Sequence, residues 1–289
     1  MTADATEDVT CRGRDGCELH ATIVQDDRER SGASPRSVVV LLHGGGPDHH
    51  SLVPLAHQLL AVRTVVLPDI RGYGRSICVE PQRHTWAQYA EDVIALLDHL
   101  NIGRAVVGGA GLGGTIALRA ALAFPARVEG LVLISVEDIE DDQAKAAEIA
   151  FMEAFADRVR NAGLEAAWAP ILKDLPPIIG AMVREAIPRS DALSIAAAAA
   201  IGYDRSFRSV DELAGINVPA LIIPGVDWRH PRALAAQLAR VMPLAQLATV
   251  EMSADLKTTD DFARTFGPPI RSFLASHFEP DQAAAKASF

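Results

Sequence analysis

Positive charge, cysteine and aromatic side chains are all scarce in this sequence, and each scarcity argues against a class of function. Lys and Arg number 27 against 37 Asp and Glu, a formal charge of −10. A nucleic-acid partner needs a basic face to neutralise phosphates, so none is expected. The three cysteines, Cys11, Cys17 and Cys78, cannot all pair, and no C-x-x-C or Cys/His cluster marks a metal site. No apolar run approaches the ~18 residues of a membrane span. The opening MTADATEDVT is acidic and lacks the apolar stretch of a secretion signal. These absences lead to the expectation of a cytoplasmic protein with no membrane partner, no metal and no cofactor.

What is present is apolar sequence in the rhythm of an α/β protein, with 49% hydrophobic residues. Residues 9–25 alternate around Asp15-Gly16, as a β-hairpin does. Continuous β-branched runs at 36–46, 64–76 and 128–136 read as strands buried on both faces. Between them, 52–62 and 85–100 carry apolar residues at helical spacing. From about Glu137 to Val210 the rhythm breaks into an alanine-rich helical stretch punctuated by Pro170, Pro176, Pro177 and Pro188. Afterwards it resumes, with strands expected at 218–225 and 247–252 and helices at 231–241 and 258–276. Alternating strands and helices imply a mostly parallel sheet with right-handed crossovers. The irregular segment reads as a cap over the carboxyl ends of the strands, where such sheets bind ligands.

One stretch, AVVGGAGLGGTIAL at 105–118, admits two readings. Gly109, Gly111 and Gly114 spell G-x-G-x-x-G, a dinucleotide-binding turn. Gly109, Gly111 and Gly113 spell G-x-S-x-G without its serine, a nucleophile elbow. A dinucleotide turn belongs to the first strand of its unit and needs an acidic residue about 20 positions on. Here at least four strand-like segments precede the glycines, and Glu137 and Asp138 come late.

Four segments in order carry a resemblance: LLHGGG at 41–46, LPDIRGYGRS at 67–76, GAGLGG at 109–114 and LIIPGVDWRHP at 221–231. Over roughly residues 8–278 the chain resembles the α/β-hydrolase superfamily, in particular its capped esterases, epoxide hydrolases and haloalkane dehalogenases. The resemblance implies an eight-stranded sheet flanked by helices. It divides the chain into core 1–136, helical cap 137–210 and core 211–289. It also implies that LLHGGG is the oxyanion loop, that the backbone N–H groups of Gly45 and Leu112 form the oxyanion hole, and that Gly111 stands at the nucleophile's position. Glycine has no side chain with which to attack. The family's histidine belongs after the eighth strand, where MSADLKTTDDFARTFG (252–267) has none, and His277 reads as a surface residue. Two of three triad positions are therefore empty.

The remaining candidates follow from their places near the expected pocket. Asp227 occupies the family's acid position. His230 is either a general base reaching the pocket or, with Pro231, the start of the next helix. Glu137 is either a site acid or, like Asp141 and Asp142, part of an acidic helix start. Gly44, Gly46, His49 and Trp228 are expected to contact substrate, although the run Asp48-His49-His50 also reads as solvated loop. Trp228 could equally pack on the cap. His43, Arg71 and Tyr73 are expected to be structural, and nothing near Cys78 in the sequence marks it as a nucleophile. The function expected is action on a small organic molecule by non-covalent chemistry: water-mediated hydrolysis, carbon–carbon cleavage, elimination or isomerisation. A catalytically inactive ligand- or partner-binding protein is the alternative, and dinucleotide binding at the glycine turn a distant third.

Overall fold

The computed structural model describes residues 4–26, 38–139 and 141–278. Strands β1 (Asp4–Arg12) and β2 (Glu18–Asp26) form the expected antiparallel hairpin, turning at Gly16 with φ +83°. After them come β3 (Val38–Leu42), α1 (Val53–Leu59), β4 (Thr64–Pro68), α2 (Trp86–His99), β5 (Ala105–Gly111), α3 (Leu112–Ala123) and β6 (Val128–Val136). Then follow α4 (Asp142–Trp168), α5 (Pro177–Ala186), α6 (Ala192–Ala198), β7 (Ala220–Ile223), α7 (Arg232–Val241), β8 (Ala245–Leu247) and α8 (Thr259–Phe278). One eight-stranded sheet runs β1-β2-β4-β3-β5-β6-β7-β8, parallel from β4 onward. The valine, leucine and isoleucine runs of β3 to β7 are buried because helices cover both faces. No helix among the described residues is long and apolar enough to cross a membrane.

Two strand expectations are corrected. The run at 64–76 is a strand only to Pro68; beyond it Tyr73 N–H bonds Ile70 O and Ser76 N–H bonds Tyr73 O, folding the chain into tight turns. The last strand lies at Ala245–Leu247 rather than 247–252, where it pairs with Ala220–Ile222 of β7. Past Leu247 the chain keeps two isolated bonds to the β7 edge, Ala248 N–H to Ile222 O and Met252 N–H to Pro224 O.

The glycines at 108–114 are explained by this packing. A Cβ on Gly109 or Gly113 would stand 2.3 Å from the Leu42 carbonyl oxygen, so α3 crosses β3 at backbone distance only because both positions are bare. The turn joins the fifth strand to its helix, where a nucleophile elbow belongs. Residues 137–210 hold α4, α5 and α6, and no strand among the described residues. Asp141 caps α4, its side chain accepting from Ala144 N–H.

Candidate active site

The strand-to-helix turn after β5 turns on Gly111, whose φ of 52° and ψ of −118° are open to glycine and costly for other residues. Leu112 begins α3, so its N–H belongs to the helix-end amides that have no partner within the helix. Gly44 and Gly45 follow β3 and line the same cavity as Ala110, Gly111 and Leu112. The expected oxyanion loop and the elbow thus form one wall.

Beside the elbow stands an Asp–His pair from the β7–α7 loop. His230 Nδ1 lies 2.8 and 3.0 Å from the two Asp227 carboxylate oxygens. Asp227 Oδ1 also accepts from the backbone N–H groups of Arg229 (3.0 Å) and His230 (3.1 Å). Burial by itself would raise the Asp227 carboxyl; the His230 ring and these amides outweigh it and hold the group below its ordinary range. With Nδ1–H donated to Asp227, Nε2 carries the lone pair. That nitrogen lies 3.1 Å from the position a Cβ would take on Gly111. The imidazole therefore fills the space beside the elbow into which a nucleophile's side chain would project. After β8 the cavity wall is supplied by Met252.

The cavity measures about 470 Å3. Phe151, Phe155 and Trp168 of α4, Met182 of α5 and Ile195 of α6 roof it with apolar surface. Arg229 pairs with Glu148 of α4 at 2.8 Å and sits between the Phe151 and Trp228 rings, 5.2 and 5.1 Å from their centroids. Trp228 is 59% exposed, lines the cavity and meets Phe151 edge-on at 6.4 Å, so it does both things the sequence allowed. Glu137 and Asp138 line the wall at the end of β6. Ser135 is bulged out of the β5–β6 ladder at a φ of 49° and borders the cavity, while its buried hydroxyl has no partner among the described residues.

The α/β hydrolase fold family matches residues 37–176, and the sheet order, elbow and oxyanion loop agree with it. This chain has the α/β-hydrolase fold. Its sequence relatives include RutD of Caulobacter sp. strain K31, whose name is that of a carbamate hydrolase, 37% identical over 103 residues. That stretch is 36% of this chain and 38% of RutD. The magnesium-chelatase 30 kDa subunit of Rhodobacter capsulatus is 38% identical over 102 residues, 35% of this chain and 36% of the subunit. The match thus spans little more than a third of these relatives. Among solved structures, the enol-lactonase of Burkholderia xenovorans LB400 superposes with a TM-score of 0.75 at 25% identity, covering 92% of this chain and 100% of the enol-lactonase.

Within this α/β-hydrolase fold several sequence expectations need correction. Gly46 and His49 do not line the cavity: Gly46 lies under Trp168 and Val183, and His49 is buried with its Nδ1 2.7 Å from Asp69 Oδ1. Asp48 is buried as well, and Arg189 reaches its two oxygens at 2.7 and 3.1 Å; of the three, only His50 is exposed. Donor atoms of Asp48, His49 and His50 lie within 4.8 Å of one another, yet all three already have partners, Arg189 and His50 on Asp48 and Asp69 on His49. The Cys78 surroundings are richer than the sequence suggests. The Cys17 thiol, then His84, draw the Cys78 thiol below its ordinary value, although Cys78 does not line the cavity. His43 and Arg71 are structural as expected: His43 is fully buried, and Arg71 bridges Asp15 and Asp92. Pro231, not His230, caps α7, and His277 bonds Phe273 O within α8. Tyr73, Trp86, Ser135, Lys145 and Glu148 line the cavity unforeseen, since their spacing in the chain carries no signal of convergence.

Proposed function

We propose that this protein is a general-base enzyme acting on a small, largely apolar carbonyl compound without forming a bond to the elbow. The observation that carries the proposal is the 3.1 Å between His230 Nε2 and the Cβ position of Gly111, with Asp227 behind the ring. Nε2 is placed to take a proton from water or from a carbon next to the carbonyl. In the hydrolytic case, the hydroxide adds to the carbonyl carbon as the C=O π pair moves onto oxygen. The Gly45 and Leu112 amides receive that charge, worth about 3–4 kcal/mol for one well-placed donor. The oxyanion then collapses, the leaving group departs, and the His230 imidazolium returns the proton to it. Asp227 fixes the ring's tautomer and stabilises the imidazolium. The apolar roof and a volume of about 470 Å3 suit a small organic molecule. Carbamates and enol-lactones, named for two of the similar proteins, are both carbonyl compounds.

The test compares wild type and His230→Gln in two assays: hydrolysis of 4-nitrophenyl butyrate, and exchange of the α-protons of phenylacetone in D2O by NMR. Wild type is expected to accelerate at least one, His230→Gln to lose about 100-fold or more, and intact-protein mass to stay free of acyl adducts. An acyl-enzyme, fluorophosphonate labelling, or full activity in His230→Gln would overturn the proposal. Inactivity of the wild type in both assays would favour a binding protein.

A further inference from the structure

The phenol of Tyr73 stands beside the oxyanion loop. Tyr73 lines the cavity. Its Oη lies 3.9 Å from the position a Cβ would take on Gly45. The placement is held firmly. Tyr73 N–H bonds Ile70 O at 2.9 Å, and Tyr73 O accepts from Ser76 N–H at 3.0 Å. His43 ties this turn to the oxyanion loop: its Nε2 accepts from Ile70 N–H at 2.9 Å while Nδ1 donates to Gly44 O at 2.8 Å. Its ring meets Tyr73 edge-on at 5.6 Å. One buried histidine therefore links the turn that carries Tyr73 to the loop that carries Gly45.

We infer that the Tyr73 hydroxyl is a catalytic hydrogen-bond donor to the substrate's carbonyl oxygen, completing the oxyanion hole with the Gly45 and Leu112 amides. The inference rests on the general-base reading for the reaction it serves. Its recognition chemistry is that of an apolar molecule bearing an oxyanion, an enolate or a tetrahedral alkoxide. Burial, then the neighbouring Glu137 carboxylate, push the phenol's pKa well above its ordinary value, so Tyr73 stays protonated and donates. Glycine loops after the third strand need only backbone to hold an oxyanion. Here a side chain adds a donor that Tyr73→Phe removes without emptying the ring's place.

The probe is 2-naphthol, whose naphtholate form presents an oxyanion on an apolar body and whose fluorescence reports ionisation. Tyr73→Phe is expected to weaken 2-naphthol binding about tenfold or more and to lower kcat for 4-nitrophenyl butyrate by a similar factor. KM and the melting temperature should move little. Should Tyr73→Phe fail to fold, 19F NMR of wild type carrying 3-fluorotyrosine decides instead, since the chain has only three tyrosines. The Tyr73 resonance should shift on adding 2-naphthol, while those of Tyr89 and Tyr203 should not. Unchanged affinity and kcat in Tyr73→Phe, a static Tyr73 resonance, or no binding of 2-naphthol by wild type would each overturn the inference. His230→Gln separates the two claims: it should lose turnover yet still bind 2-naphthol. Turnover retained there defeats the general base and leaves the naphthol result to judge Tyr73.

Discussion

Two histidine–aspartate pairs of nearly equal geometry occur in this fold, His230–Asp227 at 2.8 Å and His49–Asp69 at 2.7 Å. In each, Nδ1 faces the carboxylate. Their surroundings differ completely. Asp69 is fully enclosed and serves as a hub, accepting from the His49 backbone and ring and from the Arg75 backbone and guanidinium. Asp227 instead orients a ring whose Nε2 faces the cavity beside the bare elbow. A short Asp–His contact is therefore not a signature of catalysis. What matters is whether the second nitrogen reaches a space that a reacting molecule can enter, next to donors that stabilise its charge.

The sharpest way to break this contrast is to exchange the rings' partners for neutral ones. Asp227→Asn should cut turnover of 4-nitrophenyl butyrate by about 100-fold or more, because the ring loses its tautomer control, while the urea midpoint moves modestly. Asp69→Asn should do the reverse. It leaves buried donors of His49 and Arg75 without their charge and should cost about 3 kcal/mol of stability in urea titrations, with turnover per folded molecule retained. If both variants lose turnover equally, the two pairs are not functionally distinct.

A pH titration of stability sharpens the same point. His43 is held below its ordinary value of 6.5 by burial, so it folds neutral. Its contribution is present above about pH 6.5 and declines below, as the unfolded histidine takes up a proton. Asp69 and Asp48 are held below their ordinary 3.8: burial opposes this, but His49 and Arg189 respectively outweigh it. Their stabilisation is present above about pH 3.8 and is lost as pH falls toward their folded values. Asp92, raised by burial, works in the opposite direction. The melting temperature should thus fall from about pH 6.5 and more steeply below about 3.8. Asp69→Asn should flatten the acid limb of the curve, and Asp227→Asn should change it less.

The smallest expected effect concerns Ser135, beside the elbow. Ser135→Gly relieves a φ of 49° and removes a buried hydroxyl that has no partner among the described residues, so it should raise stability by about 1 kcal/mol. A fall in stability would show that the hydroxyl is satisfied in solution.

The hydrophobic runs, the hairpin at Asp15-Gly16 and the four ordered motifs were enough to read the architecture, because buried parallel strands and glycine-dependent turns leave local marks in a chain. The Gly111 vacancy was legible for the same reason: the elbow is a local structure with a fixed spacing. His230 could be placed near the pocket but not assigned a role, since its meaning depends on a 3.1 Å approach to a residue 119 positions away. His49 and Gly46 were misplaced because the sequence cannot show that Asp69 and Trp168 close over them.

Periodicity and turn chemistry act between residues a few positions apart, so the sequence by itself determined the order of elements and the bare elbow. Cavity walls are built by side chains from distant elements converging in space. Only the tertiary structure could decide that the Asp227–His230 pair faces that elbow, that its counterpart is sealed within the core, and that a phenol from the β4 turn stands beside the Gly45 loop.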